Sequence, residues 1–384
     1  MKLFLLRLKG KRKMPARTKS TPLFAVDIFS GAGGLTTGLK AAGFRVAAGV
    51  EIEQHAVSTF KVNHPETRVF KQDVTTVTGA DLIAETGGVG VHLLAGCPPC
   101  QGFTSLTSKY KRTDPRNRLI VELARLVEES KPLVLMMENV PGLEQKGKPL
   151  FDQFVRRIKA AGYIPEWDVL QVADYGVPQS RRRLVLLAGR GFSVPLPKAT
   201  HSKTGEGGLP QWRTVRSVIE AMPTPISMSD LKSDAGTQEH GWHVVRDLSP
   251  QNQRRLQHAK PGMHWKKIPK RLRPDCHQDK DAGFSNVYGR MKWDEASPTI
   301  TAGCTTLSKG RFGHPEENRT ISAREAAMLQ TFPADYVFSS PYMEYVCAMI
   351  GNALPCDFAA VLARSCAAAI RHYVRTATPS TAKD

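Results

Sequence analysis

Between residues 24 and 189, short apolar runs alternate with stretches whose apolar residues recur every three or four positions. The runs FAVDIF, RVAAGVEI, RVFKQDV, HLLAGC, LVLMMENV, EWDVLQVADY and RRLVLLAG each have the length and apolar density of a buried strand. The clearest helix between them runs from Leu119 to about Glu129. Its Leu119, Leu123, Leu126 and Val127 fall at i, i+4, i+7 and i+8 and make one buried face. Strand followed by helix, repeated, predicts a parallel sheet with helices on both faces. The expected fold class is α/β: a doubly wound, mostly parallel sheet with a smaller irregular domain.

After Arg190 the regularity stops. Residues 191 to 320 are rich in Pro, Gly, His, Trp and basic groups and show no strong period, although Ser249-Pro250 reads as a helix cap followed by a first-turn proline. Helical pattern returns at SAREAAMLQTF, where Ser322 caps and Glu325 completes a capping box. An Ala-rich helix is expected from about Cys356 to Tyr373. The chain therefore divides into an arm (1–20), an α/β domain (21–190), an irregular insertion (191–320) and helices returning to the first domain (321–384).

Composition narrows the class. Apolar residues make up 41% of the chain, as in an ordinary globule, and no apolar run approaches the roughly 20 residues of a membrane span. The seven cysteines, at 97, 100, 276, 304, 347, 356 and 366, are an odd and scattered set, unlike a disulfide framework, which makes the reducing cytoplasm the default setting. The net charge of +19 is unevenly placed: residues 1–20 carry eight Lys and Arg with no acid, and residues 190–320 carry 21 basic against 13 acidic residues. A surplus confined to one arm and one segment implies a polyanionic partner. The arm is expected to be disordered, and Met14 offers an alternative start.

The first strand runs into VDIFSGAGGLTTGL, a Gly-rich turn opening a helix. Such a turn lets backbone approach a ligand closely. It is neither a dinucleotide fingerprint, since Thr36 stands where the third glycine belongs, nor a P-loop, since it lacks the lysine. Glu51 ends the second strand and Asp73 the third. A carboxylate at the first position suits the two hydroxyls of a ribose and one at the second suits an adenine amino group, so the set points to an adenosyl cofactor.

AGCPPCQGFT follows the fourth strand and holds Cys97 and Cys100. Zinc needs four ligands, and there is neither a second Cys-x-x-Cys nor a histidine at ligand spacing, so no metal is expected. A thioredoxin-like couple should open a helix, whereas this pair runs into a polar, basic stretch. Cys97 still continues the apolar strand as a buried cysteine would; Cys100 lies past two prolines, on a loop at the sheet edge of the cofactor turn. The next strand ends in Glu138-Asn139, a carboxyl facing an apolar pocket beside that loop, and such a carboxyl tends to hold a proton. Arg181 and Arg183 fall on one face of the last strand at period two.

Asp27-x-Phe29-x-Gly31-x-Gly33-Gly34, Pro99-Cys100-Gln101, Glu138-Asn139-Val140 and Gln179-x-Arg181-x-Arg183, followed by SAREAAMLQTFP and IGNALP, resemble in this order the blocks of the cytosine-C5 DNA methyltransferase family. The resemblance covers about residues 24 to 190 and 320 to 360. It implies a methyltransferase-type Rossmann-like sheet, S-adenosyl-L-methionine as methyl donor, and duplex DNA as partner. It implies that Cys100 adds to carbon 6 of cytosine, making carbon 5 nucleophilic toward the methyl group, and that Cys97 is a bystander. Glu138 would bind N3 and the exocyclic amine, and Arg183, with Arg181, would hold O2 and position the sulfur. The base must leave the duplex to be reached. For the cofactor, Phe29 would pack on the adenine, Gly31 and Gly33 would line the methionine part, Glu51 would take the ribose and Asp73 the adenine amine. Ile52 would cover the other adenine face, where relatives often carry a large aromatic. Leu119 and Asn352 would complete the pocket. The insertion falls where the family keeps its target-recognition region, with Gln101, Thr306 and Leu307 as expected DNA contacts.

A monomer is expected, acting as part of a restriction-modification system with a separate endonuclease or as an orphan methylase. The alternatives are the same chemistry on tRNA, and a degenerate methylase serving as a DNA-binding repressor. The long basic insertion argues against the first and the presence of Cys100, Glu138, Arg181 and Arg183 against the second.

Overall fold

In the computed structural model, the described residues are 22–99, 114–231, 239–263, 265–274 and 286–377. Seven strands form one sheet: β1 Leu23–Ile28, β2 Phe44–Glu51, β3 Arg68–Lys71, β4 Leu93–Gly96, β5 Val134–Asn139, β6 Tyr163–Gln171 and β7 Arg182–Arg190. Their order is β3-β2-β1-β4-β5-β7-β6. The pairs β1–β2, β1–β4, β2–β3 and β4–β5 are parallel, whereas β7 runs antiparallel to both β5 and β6. All seven apolar runs become strands, with two cut short: RVFKQDV is a strand only over Arg68–Lys71, with Asp73 capping a 3-10 turn at Val74–Thr76 instead of ending the strand, and Val172–Tyr175, expected to continue β6, forms a 3-10 turn that ends at Gly176, whose φ is 84°. The doubly wound, mostly parallel sheet is present.

The strands read as unbroken apolar runs because both faces are covered. Val26, Ile28, Leu94, Leu135, Met137, Leu184 and Leu186 face one layer, made by α3 (Gly79–Ala84), α4 (Leu119–Ser130) and α5 (Lys148–Ala160). Their neighbours Ala25, Leu93, Ala95, Val134, Met136, Val185 and Leu187 face the other, with Leu35 and Leu39 of α1 (Gly34–Ala41) and Phe358, Leu362, Cys366 and Ile370 near the chain's end. α2 (Gln54–Asn63) packs Val57 and Phe60 on Val69.

Beyond β7 the expected caps are present. Ser249 caps α6 (Pro250–His258), its hydroxyl accepting from Asn252 N at 3.3 Å. Ser322 and Glu325 close a reciprocal capping box at the start of α7 (Ala323–Leu329). α8 (Met343–Asn352) follows, then α9 (Cys356–Ala377). Met343–Ala377 is long and apolar enough to pass for a membrane span, more than the sequence pattern allowed, but 72% of its apolar window is buried inside the protein. The hydrophobic effect that makes it apolar is satisfied by α9 lying on α1 and the sheet, and by α8 in a separate core. That second core joins Val215, Trp242, Met291, Ile300 and Phe312 of the irregular segment to Ala326, Phe332, Phe338 and Ile350. Within residues 321–384, then, α7 and α8 pack with the irregular segment, while α9 returns to the sheet.

Candidate active site

The parallel strands β1, β2, β4 and β5 all end at one edge of the sheet. β7 begins at that same edge because it is antiparallel to β5: Asn139 pairs with Leu184 and Glu138 with Val185. This register sets Arg183 against the end of β5. Its Nε lies 2.6 Å from Glu138 Oε1, and the two side chains are only 12% and 10% exposed. A parallel β7 would have put the arginine at the opposite edge. Burial drives the Arg183 guanidinium below its usual range, and the Glu138 charge opposes that shift.

Cys97 completes this corner. Burial first, then the nearby Glu138 charge, drives its thiol well above the usual value, and the thiol hydrogen bonds to Glu138. A thiol held neutral is a poor nucleophile. Asn139 fixes the chain just beyond it, donating from Nδ2 to Pro98 O at 3.0 Å while its Oδ1 accepts from Val140 N at 2.8 Å. Cys100 and Gln101 lie outside the described residues.

Arg182 projects outward while Arg181 and Arg183 turn inward, as period two requires. Arg181, 3% exposed, nevertheless has different partners from Arg183. It donates from Nη1 to Ile300 O at 2.8 Å and from Nη2 to Gly351 O at 3.1 Å. No described hydrogen bond joins it to Glu138.

At the ends of β1 and β2 the Gly-rich turn is held open by unusual backbone. Phe29, Gly31 and Gly33 have φ of 61°, 53° and 94°. The positive φ at Phe29 is an outlier for a bulky residue, of the kind that surrounding structure must enforce. Glu51 braces the turn: Oε2 accepts from Gly31 N at 2.9 Å, and Oε1 from Ile52 N at 2.9 Å and Glu53 N at 2.8 Å. Burial raises the Glu51 carboxyl, and these three N–H donors oppose it. Above Gly31 nothing lies within 4 Å of where a Cβ would stand, so the turn faces open space. Asp73 follows β3 on the surface, lowered by donation from the backbone and hydroxyl of Thr75. Ile52 is 61% exposed, Leu119 begins α4 and is partly buried against the core, and Asn352 is exposed at the end of α8.

Two further groups hold the turn: Asp27, which opens the glycine-turn motif without a predicted role of its own, and His64, which no motif marks. Asp27, fully buried on β1, has its carboxyl raised by burial to about 7; Oδ2 accepts from Thr36 Oγ1 at 2.7 Å and Oδ1 has no partner. His64 wedges under the turn with Nε2 3.1 Å from Gly33 O and Nδ1 2.8 Å from Lys40 Nζ, its imidazole lowered by burial to about 4. A Cβ on Gly33 would meet that ring at 2.6 Å, so a glycine is required there twice over.

Thr306 and Leu307 stand apart from this corner. They help line a cleft of about 150 Å³ with Arg246, Asn252, Tyr288 and Thr305. Leu307 is 3% exposed and packs with Leu256 and Ala259, so it shapes the cleft wall rather than offering a free contact. Arg246, Asn252 and Tyr288 carry no local motif; only the tertiary fold gathers them.

Comparison with known proteins adds to this geometry. A family model described as C-5 cytosine-specific DNA methylase matches residues 24–368. The type II methylase M.HgiDII of Herpetosiphon aurantiacus is 37% identical over 346 residues, covering 88% of this chain and 94% of the relative. The type II methyltransferase M1.BsuMI of Bacillus subtilis is 30% identical over 373 residues, covering 93% and 83%. Among solved structures, a prophage-encoded Escherichia coli protein assigned to the DNA modification methyltransferases superposes with a TM-score of 0.66 at 22% identity, covering 91% of this chain and 99% of that one. Spodoptera frugiperda DNMT2 gives 0.60 at 18% identity, covering 90% and 99%. At these identities the structures speak to the fold alone.

Proposed function

The chain belongs to the C-5 cytosine-specific DNA methylase family, and from that membership we propose that Cys100, Glu138 and Arg183 carry its chemistry, with S-adenosyl-L-methionine as methyl donor. The protein is a DNA (cytosine-5-)-methyltransferase. The observation that carries the assignment of residues is the Glu138–Arg183 pair at the sheet edge where the glycine turn and the Cys97–Pro99 segment also end.

Cys100 adds through sulfur to carbon 6 of a cytosine drawn out of the duplex, and carbon 5 becomes nucleophilic. Glu138 gives a proton to ring N3 as the sulfur adds and accepts from the exocyclic amine, so the ring stays neutral, and N3 returns that proton when the ring becomes aromatic again. Arg183 orients the Glu138 carboxyl group and presents donors to O2. After transfer, loss of the carbon-5 proton and departure of Cys100 restore the aromatic ring. The methyl donor, when bound, supplies an electrophilic methyl group.

The residues present fit such a donor. Open space stands above Gly31, and the carboxylate of Glu51 lies beside it as an acceptor for ribose hydroxyls. Phe29, Ile52, Leu119 and Asn352 would close on the remaining faces, and Asp73 would accept from the adenine amine. The Arg181 hydrogen bonds favour a supporting part for that residue, not contact with the base. Residues 191–320 would read duplex DNA, with Thr306 on the rim of the cleft, and residues 1–20 would add unspecific attraction to phosphates. The type II names of the relatives support a modification role beside a separate endonuclease, and the protein would work as a monomer.

The test is methyl transfer from labelled S-adenosyl-L-methionine to duplex DNA and to tRNA, followed by bisulfite sequencing of the DNA. Label in duplex cytosines within one recurring sequence is expected. Label in tRNA alone would overturn the reading.

A further inference from the structure

Between the proposed cofactor pocket and the proposed recognition segment lies a buried polar junction that the chemistry above does not use. Gln179, fully buried, accepts at Oε1 from Ile300 N at 2.9 Å and donates from Nε2 to Gln330 Oε1 at 2.6 Å. Arg181 donates to the carbonyl of the same Ile300 and to Gly351 O. Gln330, also fully buried, donates to Ile350 O at 2.6 Å and Ala353 O at 3.2 Å. Both polar groups of residue 300 are thus held by side chains from the lead-in to β7. The carbonyls on either side of Asn352 are held by the same three-residue network.

The backbones also meet directly. A Cβ on Gly351 would overlap the backbone of Thr301 and Ala302. Ser180 N donates to Ser297 O at 2.8 Å and Ser297 N to Pro178 O at 3.0 Å. From this junction α8 runs toward the cleft. Glu344, in its first turn, pairs with Arg246 at 2.7 Å, and Cys347 Sγ lies 3.4 Å from Thr305 Oγ1. Arg246 and Thr305 both line the cleft. One rigid helix of about 15 Å therefore has cleft residues at its start and Asn352 at its end.

We infer that Gln179 and Arg181 are positioning residues that lock the turn bearing Asn352 to the segment 297–307, so that cofactor binding and DNA binding strengthen each other. The inference rests on the assignment of Asn352 to the cofactor and of 191–320 to DNA. Its physical basis is that a buried, densely hydrogen-bonded network has few alternative arrangements. A ligand that orders one side then lowers the cost of ordering the other. By linkage, the factor by which DNA tightens the cofactor equals the factor by which cofactor tightens DNA.

The experiment measures the affinity of full-length protein for S-adenosylhomocysteine by calorimetry, alone and saturated with a duplex carrying the mapped methylation site. The wild type should bind it at least about fivefold more tightly with the duplex. Gln179→Leu preserves volume and removes both amide bonds, so the ratio should fall to within about twofold of unity, with affinity for S-adenosylhomocysteine alone changed by less than about threefold. Gln179→Glu keeps the acceptor for Ile300 N and loses the donor to Gln330, and should give an intermediate ratio. A wild-type ratio of one, a wild-type ratio retained in both variants, or failure of both variants to fold by circular dichroism would overturn the inference. Absence of S-adenosylhomocysteine binding by the wild type would instead overturn the cofactor assignment beneath it.

Discussion

Arg183 Nε sits 2.6 Å from Glu138 Oε1 because β7 runs antiparallel to β5. The pair is nearly buried, so the cost of separating its members is high, and each depends on the other for its orientation. Glu138→Gln keeps an acceptor for the arginine but removes the carboxylate. It should lower kcat by about 10²- to 10⁴-fold with little change in cofactor affinity. Arg183→Ala should cost comparable activity and also lower the melting temperature, since it strands a buried carboxylate. Steady-state kinetics beside thermal melts check both; unchanged turnover in Glu138→Gln would remove that residue from the chemistry.

The two nearby cysteines should behave oppositely. Cys97→Ala removes a thiol that burial and Glu138 keep neutral and should leave most of the activity. Cys100→Ser should abolish methyl transfer while gel-shift affinity for duplex DNA survives. The reverse pattern would exchange their roles.

Glu51 has two tasks, bracing Gly31 and offering an acceptor beyond it. Glu51→Ala should weaken S-adenosylhomocysteine binding by roughly tenfold or more, and Glu51→Gln, which keeps one acceptor oxygen, by less. Asp73→Ala should weaken it too, with little loss of stability, because among the described residues its carboxylate bonds to Thr75 beside it, capping one short 3-10 turn. Calorimetry showing no change for either alanine variant would move the cofactor elsewhere.

Asp27 gives a pH dependence with a definite sign. Its folded pKa, raised by burial to about 7, lies above the ordinary 3.8. Between these values the unfolded chain has released the proton and the folded chain has not, so this group's contribution to stability falls as pH rises from about 4 to about 7. Asp27→Asn removes that loss. Denaturant melts should show the variant gaining on the wild type more at about pH 8 than at about pH 5. An equal difference at both would contradict the buried, proton-holding carboxyl.

The strands were legible because a sheet covered on both faces demands continuous apolar runs, and the caps at Ser249 and Ser322 because their side chains satisfy helix N–H groups locally. The direction of β7 was readable in principle. Only ten residues separate Gln171 from Arg182, and a parallel crossover needs about a dozen or more. What local pattern does not carry is pairing across distance. The period of two turned Arg181 and Arg183 to one face, yet their partners are on different segments, Glu138 for one and Ile300 with Gly351 for the other. His64 matters through what covers it, and Asp27, although it opens the glycine-turn motif, holds its proton through burial, which no spacing records. Leu307 matched a motif by type, and its burial against Leu256 is a property of the assembled cleft.

The most direct test of the account is trapping on duplex DNA in which 5-fluorocytosine replaces the target base, in the presence of S-adenosyl-L-methionine. Fluorine at carbon 5 blocks the final elimination, so a working nucleophile stays bonded to carbon 6. The account predicts a denaturant-resistant protein–DNA adduct whose peptide map places the bond on Cys100, formed by the wild type and by Cys97→Ala and absent in Cys100→Ser. An adduct on another residue, or methyl transfer by the wild type with no adduct on the fluorinated duplex, would contradict it.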